Sequence, residues 1–155
     1  MDFLDPQQLR IMVQLLLAVF LGGFMGIERE YVGKAAGIRT FALVSLGSCL
    51  FTVLSREAFS SFLGQAGVSY DPSRLAGNVV MGIGFLGAGL IIFRGIKIEG
   101  LTTAAGLWTA SAVGMAVGCR FYLIAIFSAL LVVLILAVFR RFRVEQFFEK
   151  EEREE

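Results

Sequence analysis

Five apolar runs constrain the fold of this chain more than any other feature of its sequence. They cover about residues 9–27, 38–54, 75–93, 101–118 and 121–139. Each run has 17 to 19 residues, close to the minimum of about 17 that a helix needs to cross the hydrocarbon core of a bilayer. The charged residues cluster between the runs, as they do in polytopic membrane proteins. We therefore predict an all-α fold, a helical bundle of about five transmembrane helices.

The composition fits one membrane domain with a short tail. Of the 155 residues, 57% are hydrophobic and 17% are charged. We expect the membrane domain to occupy residues 1–140 and a charged tail to occupy residues 141–155. The chain contains no histidine, the commonest general base and transition-metal ligand. With no nucleophile–base pair and no metal-ligand cluster in the sequence, we predict neither an enzyme nor a bound metal or cofactor.

The distribution of lysine and arginine predicts the orientation of the helices. With the N-terminus outside, ten of the 14 basic residues fall in segments on the inner side. The other four are Arg10, Arg56, Arg74 and Arg120. Because basic residues are enriched in cytoplasmic loops, we expect the N-terminus outside and the C-terminus inside.

Small residues are concentrated in the third and fourth runs. Along residues 101–118, small side chains recur every four residues, at Thr102, Gly106, Ala110, Gly114 and Gly118. This spacing places them on one helix face, where another helix can approach closely. The third run offers a matching surface in Gly84 and Ala88, with Gly82, Gly87 and Gly89 around them. We expect these two helices to form a tightly packed hairpin around which the chain is organised, with the stripe holding the bundle together or serving as a docking face.

The segment 82–87, G-I-G-F-L-G, matches a dinucleotide-binding string. That motif requires a preceding strand in a soluble unit, whereas this segment lies inside an apolar run. Helix packing is the preferred interpretation, and a kink or a point of ligand approach is the alternative.

The segment 26–40 places charges at the ends of the first two runs. Glu28 lies where the first run ends, and Arg39 lies just inside the second. A charge that enters a span is costly unless it is paired or faces a polar cavity. One interpretation is an interfacial salt bridge that fixes the first helix pair. The other is a polar pocket on the cytoplasmic side, formed by Glu28, Arg29, Lys34, Arg39, Thr102 and Thr103.

Two helix starts, at Ile38 and at residues 101–103, are expected on the same side. Exposed backbone N–H groups at a helix start favour an anion, and Glu28 is a candidate for that carboxylate.

On the opposite side, Asp71 precedes a predicted helix start, and Asn78 follows Arg74 by four residues on one helix face. A neighbouring helix can satisfy the Asn78 amide. Alternatively, Asp71, Arg74 and Asn78 line an outer vestibule.

No carboxylate or basic residue lies at the middle of a run. Proton relays and cation carriers usually place ionisable groups there, so this pattern argues against a carrier. A pore lined by backbone carbonyls stays open as an alternative.

Five motifs, in order, resemble the MgtC/SapB family of bacterial membrane proteins. They are G-I-E-R-E (26–30), G-K-A-A-G-I-R-T (33–40), D-P-S-R (71–74), G-I-G-F-L-G-A-G (82–89) and G-L-T-T-A-A-G-L-W (100–108). The matching positions include the glycines together with Glu28, Arg29, Arg39, Asp71, Arg74, Thr102 and Thr103. The resemblance covers roughly residues 10–120.

The resemblance implies a protein of the bacterial inner membrane that is connected with growth in low magnesium and, in pathogens, with survival inside macrophages. It implies regulatory contact with other membrane complexes, such as the F-type ATP synthase, and a magnesium or other ion transporter is the alternative. The expected partners are bilayer lipid, such a membrane protein and a second copy of the chain, and no nucleic acid. Longer members carry a soluble C-terminal domain, so this sequence resembles the short form.

Overall fold

The computed structural model describes residues 5–58, 71 and 73–141. Within them it contains five α-helices, which confirms the predicted all-α fold class, and one β-hairpin, which was not predicted. The elements are α1 (Pro6–Tyr31), α2 (Ile38–Glu57), α3 (Ser73–Leu90), β1 (Ile92–Arg94), β2 (Lys97–Glu99), α4 (Leu101–Gly118) and α5 (Tyr122–Arg141). Residues 142–155 of the predicted tail lie outside the described residues.

Four of the helices are long and apolar enough to cross a membrane, namely α1, α2, α4 and α5. The apolar part of α3, Ala76–Leu90, is shorter. Helix α1 is longer than the predicted run because Asp5 caps its start, accepting a hydrogen bond from the Gln7 N–H at 3.0 Å. Its last turn carries Glu28 and Arg29 within the helix rather than in a loop.

The connection between α3 and α4 is a β-hairpin, which the sequence analysis missed. Residues 91–93 were predicted to continue the third helix, but α3 ends at Leu90 and Ile92 pairs with Glu99. The physical reason lies in two glycines with positive φ. Gly95 (φ 62°) opens the two-residue turn, and Gly100 (φ 92°) brings its backbone so close to Leu90 that a Cβ there would lie 1.9 Å from the Leu90 carbonyl oxygen.

Helices α1, α2 and α4 pack against one another, and α4 also contacts α3 and α5. The buried residues Phe41, Cys49 and Val53 of α2 share one apolar core with Met25 of α1 and Leu107 of α4. The prediction of a tightly packed α3–α4 hairpin is therefore wrong for α3, because the small-residue stripe of α4 faces α2, although α4 does contact each of the other four helices. The two glycine-bearing faces that determine the packing, on α1 and α4, both meet α2.

Helix α5 lies at the periphery of the bundle. Among its residues 122–140, only Ala125, Ala129 and Leu136 are buried. Large side chains such as Leu123 and Phe127 are exposed, which suits contact with lipid. The helix packs on α1 and α4 through its small residues.

Candidate functional site

A charged cluster lies at one end of the bundle, where α1 and α5 end. The Nε and Nη2 atoms of Arg29 both contact Glu28 Oε2. The Arg140 Nη1 atom, from α5, lies 3.3 Å from Glu28 Oε1, and its guanidinium lies 6.0 Å from the centre of the Tyr31 ring. The side chains of Glu28 and Arg29 are 9% and 5% exposed, whereas that of Arg140 is 46% exposed. We call Glu28, Arg29 and Arg140 the charge cluster.

The charge balance of this cluster is positive. One carboxylate faces two guanidinium groups, and a guanidinium stays protonated at any physiological pH. Glu28 Oε1 accepts no hydrogen bond from any described residue, because Arg140 Nη1 approaches within ion-pair distance but outside hydrogen-bond geometry. The cluster thus pairs a buried anion with two cations and holds α5 against α1.

The carboxylate at the start of α2 is Glu30 rather than Glu28. Glu30 Oε2 accepts a hydrogen bond from the Ile38 N–H at 2.8 Å. The candidate assignment to Glu28 is wrong because residues 28 and 30 point to different sides of α1, and α2 begins on the side of Glu30. Gly37 permits the contact, since a Cβ there would lie 2.5 Å from Glu30 Oε2. The G-I-E-R-E motif contains both glutamates, but their spacing alone does not identify which one reaches the start of α2.

The structure brings together only part of the predicted cytoplasmic-side pocket. Lys34, Arg39 and Thr102 are exposed. The Lys34 N–H donates a hydrogen bond to the Arg29 carbonyl at 2.9 Å, but no side-chain hydrogen bond or ion pair among the described residues joins these three residues to the charge cluster. Thr103 is buried at 3% exposure on α4. Arg140 was absent from the predicted site. The orientation count already placed it on the same side as Glu28, and this was the signal that could have found it.

The predicted outer vestibule is not a single site among the described residues. The Asp71 carboxylate accepts hydrogen bonds from the Ser73 N–H (2.9 Å) and the Ser73 hydroxyl (2.6 Å) at the start of α3. The Ser73 hydroxyl, and then its N–H, lower the pKa of Asp71 from its ordinary value. Arg74 is exposed, and Asn78 faces a separate cleft. Asp71 therefore acts as a helix cap.

That cleft lies on the side of the bundle, between α2 and α3, and we call it the lateral cleft. Its volume is about 420 Å³. Leu43, Gly47 and Phe51 line it from α2, and Asn78, Gly82 and Leu86 line it from α3. Ser48 and Ser111, whose hydroxyl oxygens lie 2.8 Å apart, also line it.

Polar side chains inside the bundle are mostly satisfied by neighbouring groups. The Gln14 amide of α1 donates to the Val117 carbonyl of α4 at 2.9 Å, and Ser48 and Ser111 link α2 to α4. The Thr52 hydroxyl donates within its own helix, to the Ser48 carbonyl at 2.7 Å. Ser45 Oγ has no hydrogen-bond partner among the described residues. Interhelical hydrogen bonds thus occur for Gln14, Ser48 and Ser111 but not for Thr52 or Ser45 among the described residues.

The small-residue stripe of α4 faces α2. A Cβ on Gly114 would lie 2.1 Å from the Ser45 carbonyl oxygen, and one on Gly118 would lie 2.7 Å from Thr52 Cβ. Gly106 lies against the Phe41 ring, Ala110 is fully buried, and Thr102 is exposed outside this contact.

Of the predicted partner residues on α3, only Gly87 lies near α4, and it does so without close backbone approach. A Cβ on Gly82 or Gly84 would meet no described atom within 4 Å, one on Gly87 would meet only Ala104 Cβ at 3.8 Å, and Ala88 is exposed. Instead, Gly22 and Gly26 of α1 supply the second close contact, again with α2. Periodicity identifies a face of a helix but not the helix that covers it, so the partner of the α4 stripe was assigned wrongly.

The apolar helices and their antiparallel packing define a polytopic helical membrane protein. The chain belongs to the MgtC family, which it matches over residues 15–144. It is 43% identical over 129 residues to YhiD of Escherichia coli strain K12, whose name proposes magnesium transport, covering 83% of this chain and 60% of that protein.

Two further relatives carry the family's other names. SapB of Bacillus subtilis is 37% identical over 134 residues, covering 86% of this chain and 56% of SapB. MgtC of Brucella abortus is 46% identical over 101 residues, covering 65% of this chain and 39% of that MgtC. The chain thus spans about 60% or less of the length of these relatives. No solved structure matches it.

Proposed function

We propose that this chain is a non-enzymatic protein of the bacterial inner membrane that contributes to adaptation to low magnesium by regulatory interaction with other membrane complexes. The magnesium connection rests on family membership and on the name of the Escherichia coli relative. The F-type ATP synthase is the first partner to test, and a second copy of the chain is another.

The closed packing of α1, α2 and α4 carries the proposal that the chain acts by interaction. Gly22 and Gly26 of α1, and Gly114 of α4, lie so close to α2 that none of them leaves room for a single added carbon atom. Helices in this contact leave no aqueous path between them. Transport through this interface would require the three helices to separate.

The charge cluster supports the same proposal. A magnesium ion is held in proteins through carboxylates and water. Glu28 is flanked by Arg29 and Arg140, and at these distances their positive charge opposes the approach of a divalent cation.

Magnesium flux into proteoliposomes tests the proposal most directly. We expect the purified chain to give no flux above empty vesicles, and Glu28→Gln to behave in the same way. Correct folding is checked by circular dichroism, and orientation by labelling Cys119. Protein-dependent flux that Glu28→Gln abolishes would overturn the proposal in favour of a transporter.

A separate measurement tests the proposed regulatory interaction with the ATP synthase. F-type ATP synthase, reconstituted with and without the chain, is assayed for ATP-driven proton pumping at low and at millimolar magnesium. A change in pumping that depends on the chain supports this partner. Unchanged pumping at both magnesium concentrations removes the ATP synthase from the proposal.

Transport is the second candidate function, and one observation favours it. The Oε1 atom of Glu28 is buried and accepts no hydrogen bond from the described residues, so one carboxylate oxygen has coordination capacity left. The transporter hypothesis requires Arg140 to move away before a cation binds there.

A further inference from the structure

The lateral cleft is open sideways along the middle of the bundle. Exposed apolar side chains form its edges, with Leu43 at 66%, Phe51 at 51% and Leu86 at 49% exposure. These residues lie within helices α2 and α3 rather than at their ends. In a bilayer, the cleft therefore opens towards lipid.

Two glycines on opposite walls create the space in this cleft. Gly47 belongs to α2 and Gly82 to α3, and a Cβ on either would meet no described atom within 4 Å. The space is thus a gap between helices that do not close on each other. Ser48 and Ser111 line the cleft, and their hydroxyls satisfy each other at 2.8 Å.

Asn78 is the polar group that points to a ligand. It is exposed, it lines the cleft, and no described residue forms a hydrogen bond with its amide. An amide in hydrocarbon costs free energy unless it finds a hydrogen-bond partner. Helix α3 starts at Ser73 beside the ionic cap Asp71, so Asn78 lies about 7 Å further along the helix axis. That depth is close to the thickness of a headgroup region, about 5–8 Å on each side of the hydrocarbon core.

The length of the cleft matches the rest of a lipid chain. From Asn78 to Leu86, the wall on α3 extends about 12 Å, compared with about 15 Å for the hydrocarbon half of one leaflet. At the depth of Asn78 lie the ester carbonyls of phospholipids, which accept hydrogen bonds. The apolar wall continues from there towards the bilayer centre.

We propose that the lateral cleft binds one acyl chain of a bilayer phospholipid from the leaflet on the Asp71 side. The Asn78 amide donates a hydrogen bond to the ester carbonyl, and the chain lies along Gly82 and Gly47. This lipid fills the gap between α2 and α3 and completes the packing of α3. The inference is independent of the function proposed above.

Photo-crosslinking with a phospholipid that carries a diazirine in its acyl chain tests this site. The chain is reconstituted in phosphatidylethanolamine–phosphatidylglycerol vesicles, irradiated, and mapped by mass spectrometry. We expect adducts concentrated on the walls of the cleft, such as Phe51, Ile83 and Leu86. Gly82→Leu fills the cleft and is expected to lower these adducts at least about fivefold, which corresponds to about 1 kcal/mol of binding free energy.

Matched variants separate binding from folding. Gly84→Leu makes the same chemical change on the same helix, at a position that does not line the cleft and where a Cβ also meets no described atom within 4 Å. It should leave the adducts unchanged. Gly47→Leu fills the cleft from the opposite wall and should repeat the effect of Gly82→Leu. Asn78→Leu keeps the apolar surface but removes the donor, and should reduce adducts about fivefold.

Two results would overturn the proposal. Adducts spread evenly over all outward faces and unaffected by Gly82→Leu and Gly47→Leu would show ordinary surrounding lipid only. Crosslinks between two copies of the chain across the cleft, without lipid adducts inside it, would show that a second copy occupies it.

Discussion

Glycine has two different roles in this chain, and neighbouring atoms distinguish them. Gly114 is in backbone contact with Ser45, whereas the position of a Cβ on Gly84 is open. Both are helical glycines, so intrinsic propensity favours alanine equally at both positions. The surroundings alone decide whether an added methyl group is tolerated.

Gly114→Ala is therefore expected to destabilise the bundle by about 1–3 kcal/mol, the usual cost of overpacking a core. Its Cβ would lie 2.1 Å from the Ser45 carbonyl oxygen, and backbone cannot move aside as a side chain can. Gly84→Ala is the control and should be neutral or stabilising by up to about 1 kcal/mol. Unfolding in mixed detergent micelles with increasing dodecyl sulfate measures both. Equal stability of the two variants would contradict the packing of α4 on α2.

At the scale of residues, the sequence predicts that one helix face is approached closely, but it does not identify the helix that approaches it. The four-residue spacing of Gly106, Ala110 and Gly114 identifies a face built for contact, and the structure covers that face with α2. The same reasoning applied to Gly82 and Gly84 fails, because small residues also occur where a cleft is open. A small side chain thus indicates that space is available at its position, but it does not indicate what fills that space.

At the scale of elements, the ends of helices are defined by specific polar contacts. Asp5 begins α1, Glu30 reaches across to the first N–H of α2, and Asp71 begins α3. The caps at Asp5 and Asp71 are local and readable from sequence. The contact of Glu30 depends on how α1 and α2 pack, which the local sequence does not show. The hairpin at 92–99 depends on two glycines with positive φ, and the apolar pattern gives no sign of that conformation.

The start of α3 is expected to respond to acid. The pKa of Asp71 is lowered by its hydrogen bonds from Ser73. Ionised Asp71 thus stabilises this helix start at pH values above about 3.9, the ordinary pKa of the group, and the stabilisation is lost as pH falls through the lower folded pKa. Carboxyl ¹³C titration in micelles should place the Asp71 midpoint below about 3.9.

Ser73→Ala provides the matched control for this titration. It removes the hydroxyl donor and keeps the backbone N–H, so the Asp71 midpoint should rise part of the way to its ordinary value. A midpoint that does not change in Ser73→Ala would show that the hydroxyl contact is absent in solution.

At the scale of the whole molecule, five antiparallel helices place the start of α1 and the end of α5 at opposite ends of the bundle. Glu57 contacts Gln7 and Arg120 at one end, and Glu28 contacts Arg140 at the other. The number of helices and this alternation follow from the apolar runs. Which end faces the cytoplasm rests on the distribution of basic residues.

Cysteine labelling in intact cells tests that orientation. Cys119 is exposed at the end shared with Asp5, and Cys49 is buried. A membrane-impermeant maleimide added outside should label native Cys119. Ile96→Cys, at the fully exposed hairpin tip and in a Cys119→Ser background, should react only after the membrane is opened. The reverse pattern would place the N-terminus inside.

Helix α2 meets two glycine faces at Phe41 and Ser45, one on the helix that precedes it in the chain and the other on a helix that follows. During synthesis, Gly22 and Gly26 allow α1 and α2 to pack as soon as both are in the membrane. The neighbouring surface of α2, which carries Ser48, stays without its α4 partner until α4 arrives with Ser111. Helix α4 is in turn the least apolar of the four long helices, so lipid alone retains it poorly. Assembly is therefore completed late and cooperatively, and a chain interrupted before α4 would present an unfinished surface to the proteases that survey the membrane.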